Sequence, residues 1–432
     1  MGSLQPQRER LLEDWRFLCE SIGERLAGTP GEERAAAGIA ERLGAAGCAV
    51  HAESFACRSR RGGEARVEVR EAGAWRPVEA AAVTGAGSTA GTVEGEALWL
   101  EMPEQAGRLA PGSLRGRVAI LFGPLPESVE DHKRLVAAEP AACIHVDQRL
   151  PFSWVKADGT YPLWVQRYGF PPLATVPYTE AWRWRARGGS LRLRVRCGLT
   201  MVDAQSANVV GELAGDGPET GIIVVGAHHD TQAGNVGADD NASGVVCLLE
   251  LARLLGGRKR RRTLRFVSFG DEEQLSVGSA AYVQSHRGEI DRVALMLNFD
   301  SVASPLGHHT VVCTGGPDLR SFAAAALERG GLLAAFRGDA VPFADHFPFS
   351  VLGVPALWVF RQNFSGGRWQ HHSVHDNLEN VSADVVVEML AAVAGLLDEA
   401  ANAATLPFGR GLDPALRDAT LGYARDLFGW DV

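Results

Sequence analysis

The sequence predicts an α/β protein: three layers, helices on both faces of a largely parallel mixed sheet, with a smaller, mostly β domain inserted. Three observations carry this. From Asn208 onward, short apolar runs alternate with helix-length amphipathic segments, as in βα units whose sheet is covered on both faces. Residues from about 85 to 200 break that texture, with frequent Gly, Pro, Trp and Arg and only short strand-like runs. At 432 residues, the chain also exceeds what one core usually holds. The expected division is 1–84 and 201–405 for the large domain, 85–200 for the insert, and 406–432 for a helical C-terminal extension.

In order, the first 50 residues read as two helices. Thr29-Pro30-Gly31-Glu32 offers an N-cap, a proline at the first helical position and an acid three residues after the cap. Apolar spacing runs on to Leu43, and Gly44 and Gly47 end the helix. Ala49 to Ala56 and Ala65 to Val69 alternate as strands. In the insert, Val118–Phe122, Ala142–Val146 and Leu191–Val195 are strand-like. Then come the strand Ile222–Val225, the helix Ser243–Leu255, the strand Thr263–Phe269, the helix Ser276–Ser285 and the strand Ala294–Phe299. Val311–Cys313, a helix Leu319–Gly330, the strand Ala356–Phe360 and a long helix Ala383–Ala400 follow. Ligands of such sheets sit beyond the C-terminal strand ends.

A net charge of −9 argues against nucleic acid as a partner. The run Arg258-Lys259-Arg260-Arg261-Arg262 lies between a helix and a strand and reads as a solvated connecting loop. No apolar run is long enough to span a membrane, and the N-terminus lacks the apolar stretch of a signal peptide. The seven cysteines are scattered without paired spacing, which suits reduced thiols and a cytoplasmic location.

Five short stretches, each at a strand end or before a helix, offer metal-binding side chains. "GAHHDTQAGNVGADDNASG" (Gly226–Gly244) follows an apolar strand. On a strand end His228 and Asp230 point one way and His229 the other, and a carboxylate beside a ligating imidazole fixes its tautomer. An N-cap explains one polar residue of Asp239-Asp240-Asn241-Ala242-Ser243, not the acidic pair. Asp271-Glu272-Glu273 places three acids together, a costly repulsion without a cation. Asn298-Phe299-Asp300 ends an apolar strand in an acid. His371-His372-Ser373-Val374-His375-Asp376 precedes the last long helix. Two histidines with several carboxylates suit a pair of borderline divalent ions such as zinc, with a bridging carboxylate and a spare acid for proton transfer.

These motifs resemble the zinc-dependent aminopeptidases of the bacterial leucyl aminopeptidase type, whose relatives include glutaminyl cyclases and glutamate carboxypeptidases. "GERLAGTPGEERAAAGIAERLGAAG" resembles that family's Arg-x-x-Gly-Thr-Pro-Gly helix pair. "SANVVGELAG" and "FADHFPFSVLGVPAL" resemble other parts of its catalytic domain. The insert, through "GRVAILF", "AACIHV" and "LATVPY", more weakly resembles a protease-associated domain. The resemblance implies a phosphorylase/hydrolase-like zinc exopeptidase fold and two zinc ions per chain, cobalt or manganese being alternatives. It puts His228, Asp240 and Asp300 on one ion and Asp240, Glu273 and His372 on the other, with a cis peptide after Asp240. Glu272 matches the general base, and Asp230 is assigned to catalysis beside His228. Asp376, Asp345 and His346 are candidates for the pocket or for supporting the ligands. His229 stands where tyrosine is usual, His371 precedes the matched ligand, and Leu275 occupies a position often taken by glycine.

The implied reaction is removal of N-terminal residues from peptides, with peptide as the substrate partner, neither nucleic acid nor membrane expected, and Glu272 moving the proton. A carboxypeptidase- or dipeptidase-type enzyme is the alternative, with Arg361 and Arg368 near the His371-His372 loop to anchor a carboxylate. A glutaminyl-cyclase-like acyltransferase would usually use one zinc. A non-catalytic, receptor-like binding protein would have lost ligands or base, and none is missing. Trp154, Trp164 and Tyr168 of the insert either wall the pocket or fill the insert's own core. The tail 406–432 is expected to form an amphipathic helix docked on its own domain or on a partner.

Overall fold

A computed structural model describes residues 4–147, 152–217, 221–362 and 370–431. The chain forms two compact units. The larger comprises Met1–Cys57, Ala204–Arg425 and Trp430–Val432; the smaller comprises Arg58–Asp203 with Asp426–Gly429. The first division comes earlier than the expected 84/85. Val67 and Val69 are buried with Ile120, Ile144, Trp184 and Val195 in the smaller unit's core, so the strand residues after Cys57 fold with the insert. The two strands expected between 49 and 69 are one, Ala49–Glu71.

In the larger unit the sheet runs Ala335–Arg337, His308–Cys313, Ala356–Gln362, Val293–Phe299, Ile222–His228, Thr263–Phe269 and then residues 209–213. Four central strands, from Ala356–Gln362 to Thr263–Phe269, are mutually parallel, while His308–Cys313 pairs antiparallel with Ala356–Gln362 and residues 209–213 pair antiparallel with Thr263–Phe269. Every residue of Ile222–His228 is buried, as a strand covered on both faces requires. Alternation sorts the side chains. Ile223, Val225, Leu295 and Leu297 pack in one core with helices Ser243–Gly256, Pro317–Arg329 and Ala383–Asn402. Ile222, Val224, Met296 and Phe269 pack in the other with Tyr282, Val283 and Phe349. No helix among the described residues is long and apolar enough to cross a membrane.

The connecting basic run is not simply solvated. Arg262 is buried and donates to Ala400 O and Ala403 O, and Arg258 pairs with Asp398. The tail forms a short helix, Arg417–Tyr423. Before it, Arg410 donates to Ile290 O and Val293 O, and Tyr423 packs edge-on against Phe347.

The insert, read as mostly β, is itself α/β. Its parallel strands Val118–Phe122, Ala142–Val146 and Leu173–Thr175 are accompanied by helices Val129–Ala137, Pro162–Tyr168 and Tyr178–Arg187. The first helix is capped by Ser128, whose side chain accepts from Asp131 N; all three are short, nine, seven and ten residues. Trp164 is buried within this unit and donates to Asp426 O at 2.6 Å, while Tyr168 is 37% exposed.

Candidate metal centre

Strand ends and the loops after them supply the donors. Ile222–His228 and Val293–Phe299 run parallel with Asn298 beside Gly226, so two residues further along each chain His228 and Asp300 emerge on the same face. The loop before helix Ser243–Gly256 adds Asp240. One ligand atom from each of His228, Asp240 and Asp300 lies within 4.8 Å of the other two, and all three residues are buried. His228 Nε2 stands 3.2 Å from Asp240 Oδ1.

Asp240, His371 and His372 form a second convergent set. Asp240 Oδ2 is 2.8 Å from His371 Nε2 and 3.4 Å from His372 Nε2, and His372 Nε2 is also 3.0 Å from Glu273 Oε2. Asp240 thus turns one oxygen to each set, and a cis peptide links it to Asn241. Glu272 holds a different position: Ser276 Oγ donates to its Oε1 at 3.0 Å, and its Oε2 is 3.8 Å from His228 Nε2. His229 turns away, bonded to Ser268 Oγ at 3.0 Å, and burial pushes it down to about 4.

The electrostatics suit cations. Burial raises Glu272 well above the ordinary carboxyl range, with Asp345, Asp300 and Glu273 adding to the rise and His228 opposing it. Burial likewise raises Glu273. Burial alone would keep His228 neutral, yet Glu272, Asp230 and Asp240 together hold it well above its usual value. Imidazoles and carboxylates converging in a buried cluster are a donor set for zinc or a similar divalent ion, whose charge offsets the carboxylate repulsion.

Other side chains hold these donors in place. Asp230 lies 3.3 Å from His228 Nδ1, and its two oxygens accept the backbone N–H of Glu272 and Glu273 at 3.0 and 3.1 Å. It therefore orients one imidazole and both acids of the Glu-Glu pair. Asp376 does the same for the other acidic pair, accepting from Asp239 N and Asp240 N at 2.6 and 3.0 Å. Asp239 accepts Ala303 N at 2.8 Å. Asn241 bonds Phe299 O, Gly244 N and Ser301 N, tying the Asp240 loop to the strand that carries Asp300.

Asp345 is buried, and burial pushes it up to about 7. His346 is fully buried and stacks on Trp358 at 5.5 Å, so its ring supports the loop from within; burial pushes it down to about 3. Leu275 adopts φ +70 and its neighbours Asp271 and Ser276 are also left-handed. That conformation favours glycine, and the turn forms here without one. Arg361 donates to Ser304 O at 2.6 Å; Arg368 lies outside the described residues.

Two supports carried no assigned role in the sequence. Arg25 is wholly buried and donates to His229 O, Leu18 O, Gly23 O, Val236 O and Gly237 O. Trp15 donates to Ala238 O at 2.8 Å. Glu32, expected in a capping box with Thr29, instead accepts Gly28 N, Ser206 Oγ and Asp271 N, and burial raises it to about 8.

Residues 208–397 match peptidase family M28, and that segment holds every donor from His228 to His372. The chain is 28% identical to carboxypeptidase Q of Xenopus laevis over 51% of its own length and 48% of that protein. It is 30% identical to aminopeptidase YwaD of Bacillus subtilis (strain 168), over 38% and 37% respectively. The chain thus spans about half or less of these curated relatives. Its fold matches that of a zinc aminopeptidase from Bacillus subtilis with a TM-score of 0.75 at 19% identity, covering 95% of this chain and 100% of that one.

Proposed function

We propose that this chain, whose residues 208–397 match peptidase family M28, is a di-zinc exopeptidase that removes N-terminal residues from peptides. The observation that carries the reading is Asp240, with one oxygen toward His228 and the other toward His371 and His372. A carboxylate so placed can bridge two ions. When bound, such ions polarise the scissile carbonyl and lower the pKa of the attacking water. Glu272 is free of both convergent sets and is oriented by Ser276. It takes the proton as water attacks and returns it to the leaving amine. Asp230 and Asp376 keep the ligand backbone in register, and burial excludes bulk water from the proton path. A cytoplasmic location is part of the proposal, supported by seven cysteines of which none forms a disulfide.

An unblocked di- or tripeptide, its N-acetyl form and its C-terminal amide separate the exopeptidase types. Glu272 at the centre attracts a cationic α-amine, so the first and third should be cleaved. Acetylation removes the charge and leaves polar groups unpaired, with an expected discrimination on the order of several kcal/mol. The likeness to carboxypeptidase Q favours one second reading, an enzyme that anchors a free carboxylate. Cleavage stopped by amidation and not by acetylation would put that enzyme in place of the aminopeptidase. Chelation should abolish activity reversibly, and Asp240→Ala should lose both ions.

A further inference from the structure

The two adjacent histidine pairs of this centre behave oppositely. At His228-His229 the extended strand sends one ring into the site and the other to Ser268, as alternation requires. At His371-His372 both rings enter. His372 has φ +59, a left-handed conformation that a residue with a side chain adopts at a cost and that collects at functional sites. Turning the backbone there brings neighbours that would diverge onto one side. The rings stack with centroids 3.4 Å apart, and both Nε2 atoms point at the same oxygen, Asp240 Oδ2.

Of the two, His371 is the nearer to Asp240, 2.8 Å against 3.4 Å, although the sequence resemblance matches only His372 to a ligand. The pair is buried, each residue 9% exposed, so His371 does not hang in solvent beside the site. Like His372, it offers a ligand atom within 4.8 Å of the others in the Asp240 set.

We propose that His371 is a third imidazole of the centre, binding together with His372 and Asp240 the ion on the Glu273 side. The two ions are then unlike: one held by a single imidazole, His228, with Asp240 and Asp300, the other by two imidazoles with Asp240 and Glu273. Zinc accepts four ligands of this kind and expands to five, so the extra imidazole leaves room for a water or substrate atom. More nitrogen donors on the second ion favour zinc or cobalt there over manganese, which prefers oxygen. The inference rests on the di-zinc reading proposed above.

X-ray absorption on the zinc-loaded, full-length wild-type protein counts imidazoles without any substitution. Three shared by two ions are expected; two would overturn the assignment while leaving the di-zinc enzyme intact. Zinc that fails to bind wild type at all would remove both. Competition with a chromophoric chelator then compares wild type, His371→Ala, His371→Gln and His372→Ala. Loss of an outer hydrogen-bond partner typically weakens a metal site by roughly 10–100-fold. His371→Ala should therefore exceed about 100-fold at one ion, leave the other ion in place, and recover with added imidazole. His371→Gln, which keeps a hydrogen-bond donor, should not recover. A loss within that outer-partner range, restored in His371→Gln, would make His371 a group that positions Asp240 and overturn ligation.

Discussion

Asp376 Oδ2 accepts the backbone N–H of Asp240 at 3.0 Å, so a residue four places after one metal-facing histidine fixes the carboxylate shared by both donor sets. Its other oxygen takes Asp239 N at 2.6 Å. Bonds from backbone N–H to a carboxylate are charge-assisted and short, and both are buried here. Asp376→Asn keeps the volume but replaces one acceptor oxygen with an amide donor facing an N–H. Zinc affinity should fall by roughly 10–100-fold with the fold retained, as chelator competition and a thermal melt would show. Unchanged affinity would mean the Asp240 loop needs no help from Asp376.

The neighbouring acids Glu272 and Glu273 should fail differently. Glu273 meets His372 and accepts Gln232 N at 3.0 Å, whereas Glu272 meets Ser276. Glu272→Gln should keep zinc and lose roughly 10²–10⁴-fold in turnover, the usual worth of a general base. Glu273→Gln should lose zinc first. Metal content and kcat measured on both variants decide the assignment, and the reverse pattern would exchange the two roles.

Much of this arrangement is legible in the sequence because strands write their geometry into it. The apolar run before Gly226 and the one before Asp300 mark parallel strands, and a period of two then aims His228 and Asp300 one way and His229 the other. That argument gives no direction for His371 and His372, which sit in a loop where φ +59 overrides alternation. The insert's helices are hard to read from sequence because they are short, nine, seven and ten residues, and lie in a stretch broken by frequent Gly and Pro, which interrupt any helical pattern. Asp239 puzzled as half of an acidic pair; it serves Ala303 N, a partner 64 residues away that no local pattern reveals. Arg25 opens the Arg-x-x-Gly-Thr-Pro-Gly motif, but its role left no signal, since its acceptors are main-chain carbonyls, which every residue possesses.

A pH dependence should come from the surface of the larger unit. His286 directs Nε2 at Glu53 Oε1 at 2.8 Å and Nδ1 at Glu289 Oε1 at 2.6 Å, with its ring stacked on Tyr282. His51 also meets Glu53, and Arg265 bonds Glu289, Glu212 and Tyr282. Only the protonated ring donates from both nitrogens, and the bond to Glu53 raises His286 above its usual value against the opposing effect of burial. The stabilisation is thus fully present below about pH 6.5, the unfolded value, and is lost as pH rises through the higher folded value. His286→Gln should melt below wild type at pH 6, with the gap closing toward pH 9. A gap that widens with pH would refute the sign.

Arg25 joins the strand end just after His228 to the loop just before Asp240. Its Nε reaches His229 O at 2.7 Å and its Nη1 reaches Val236 O at 2.8 Å, with Gly237 O on Nη2 at 3.2 Å. A guanidinium has five N–H donors in a planar fork, whereas an ammonium has three on a flexible stem. Arg25→Lys would therefore keep the charge but leave buried carbonyls without donors, each costing about 1–3 kcal/mol. Two consequences should appear together. Stability should fall on the order of several kcal/mol, and zinc affinity should drop because Gly237 and Val236 no longer hold the approach to Asp240. Denaturant unfolding with and without zinc separates them: saturating zinc should recover part of the lost stability, since an ion that binds only the folded state stabilises it by mass action. An Arg25→Lys variant that loses stability but binds zinc with wild-type affinity would show that Arg25 supports the fold and not the centre.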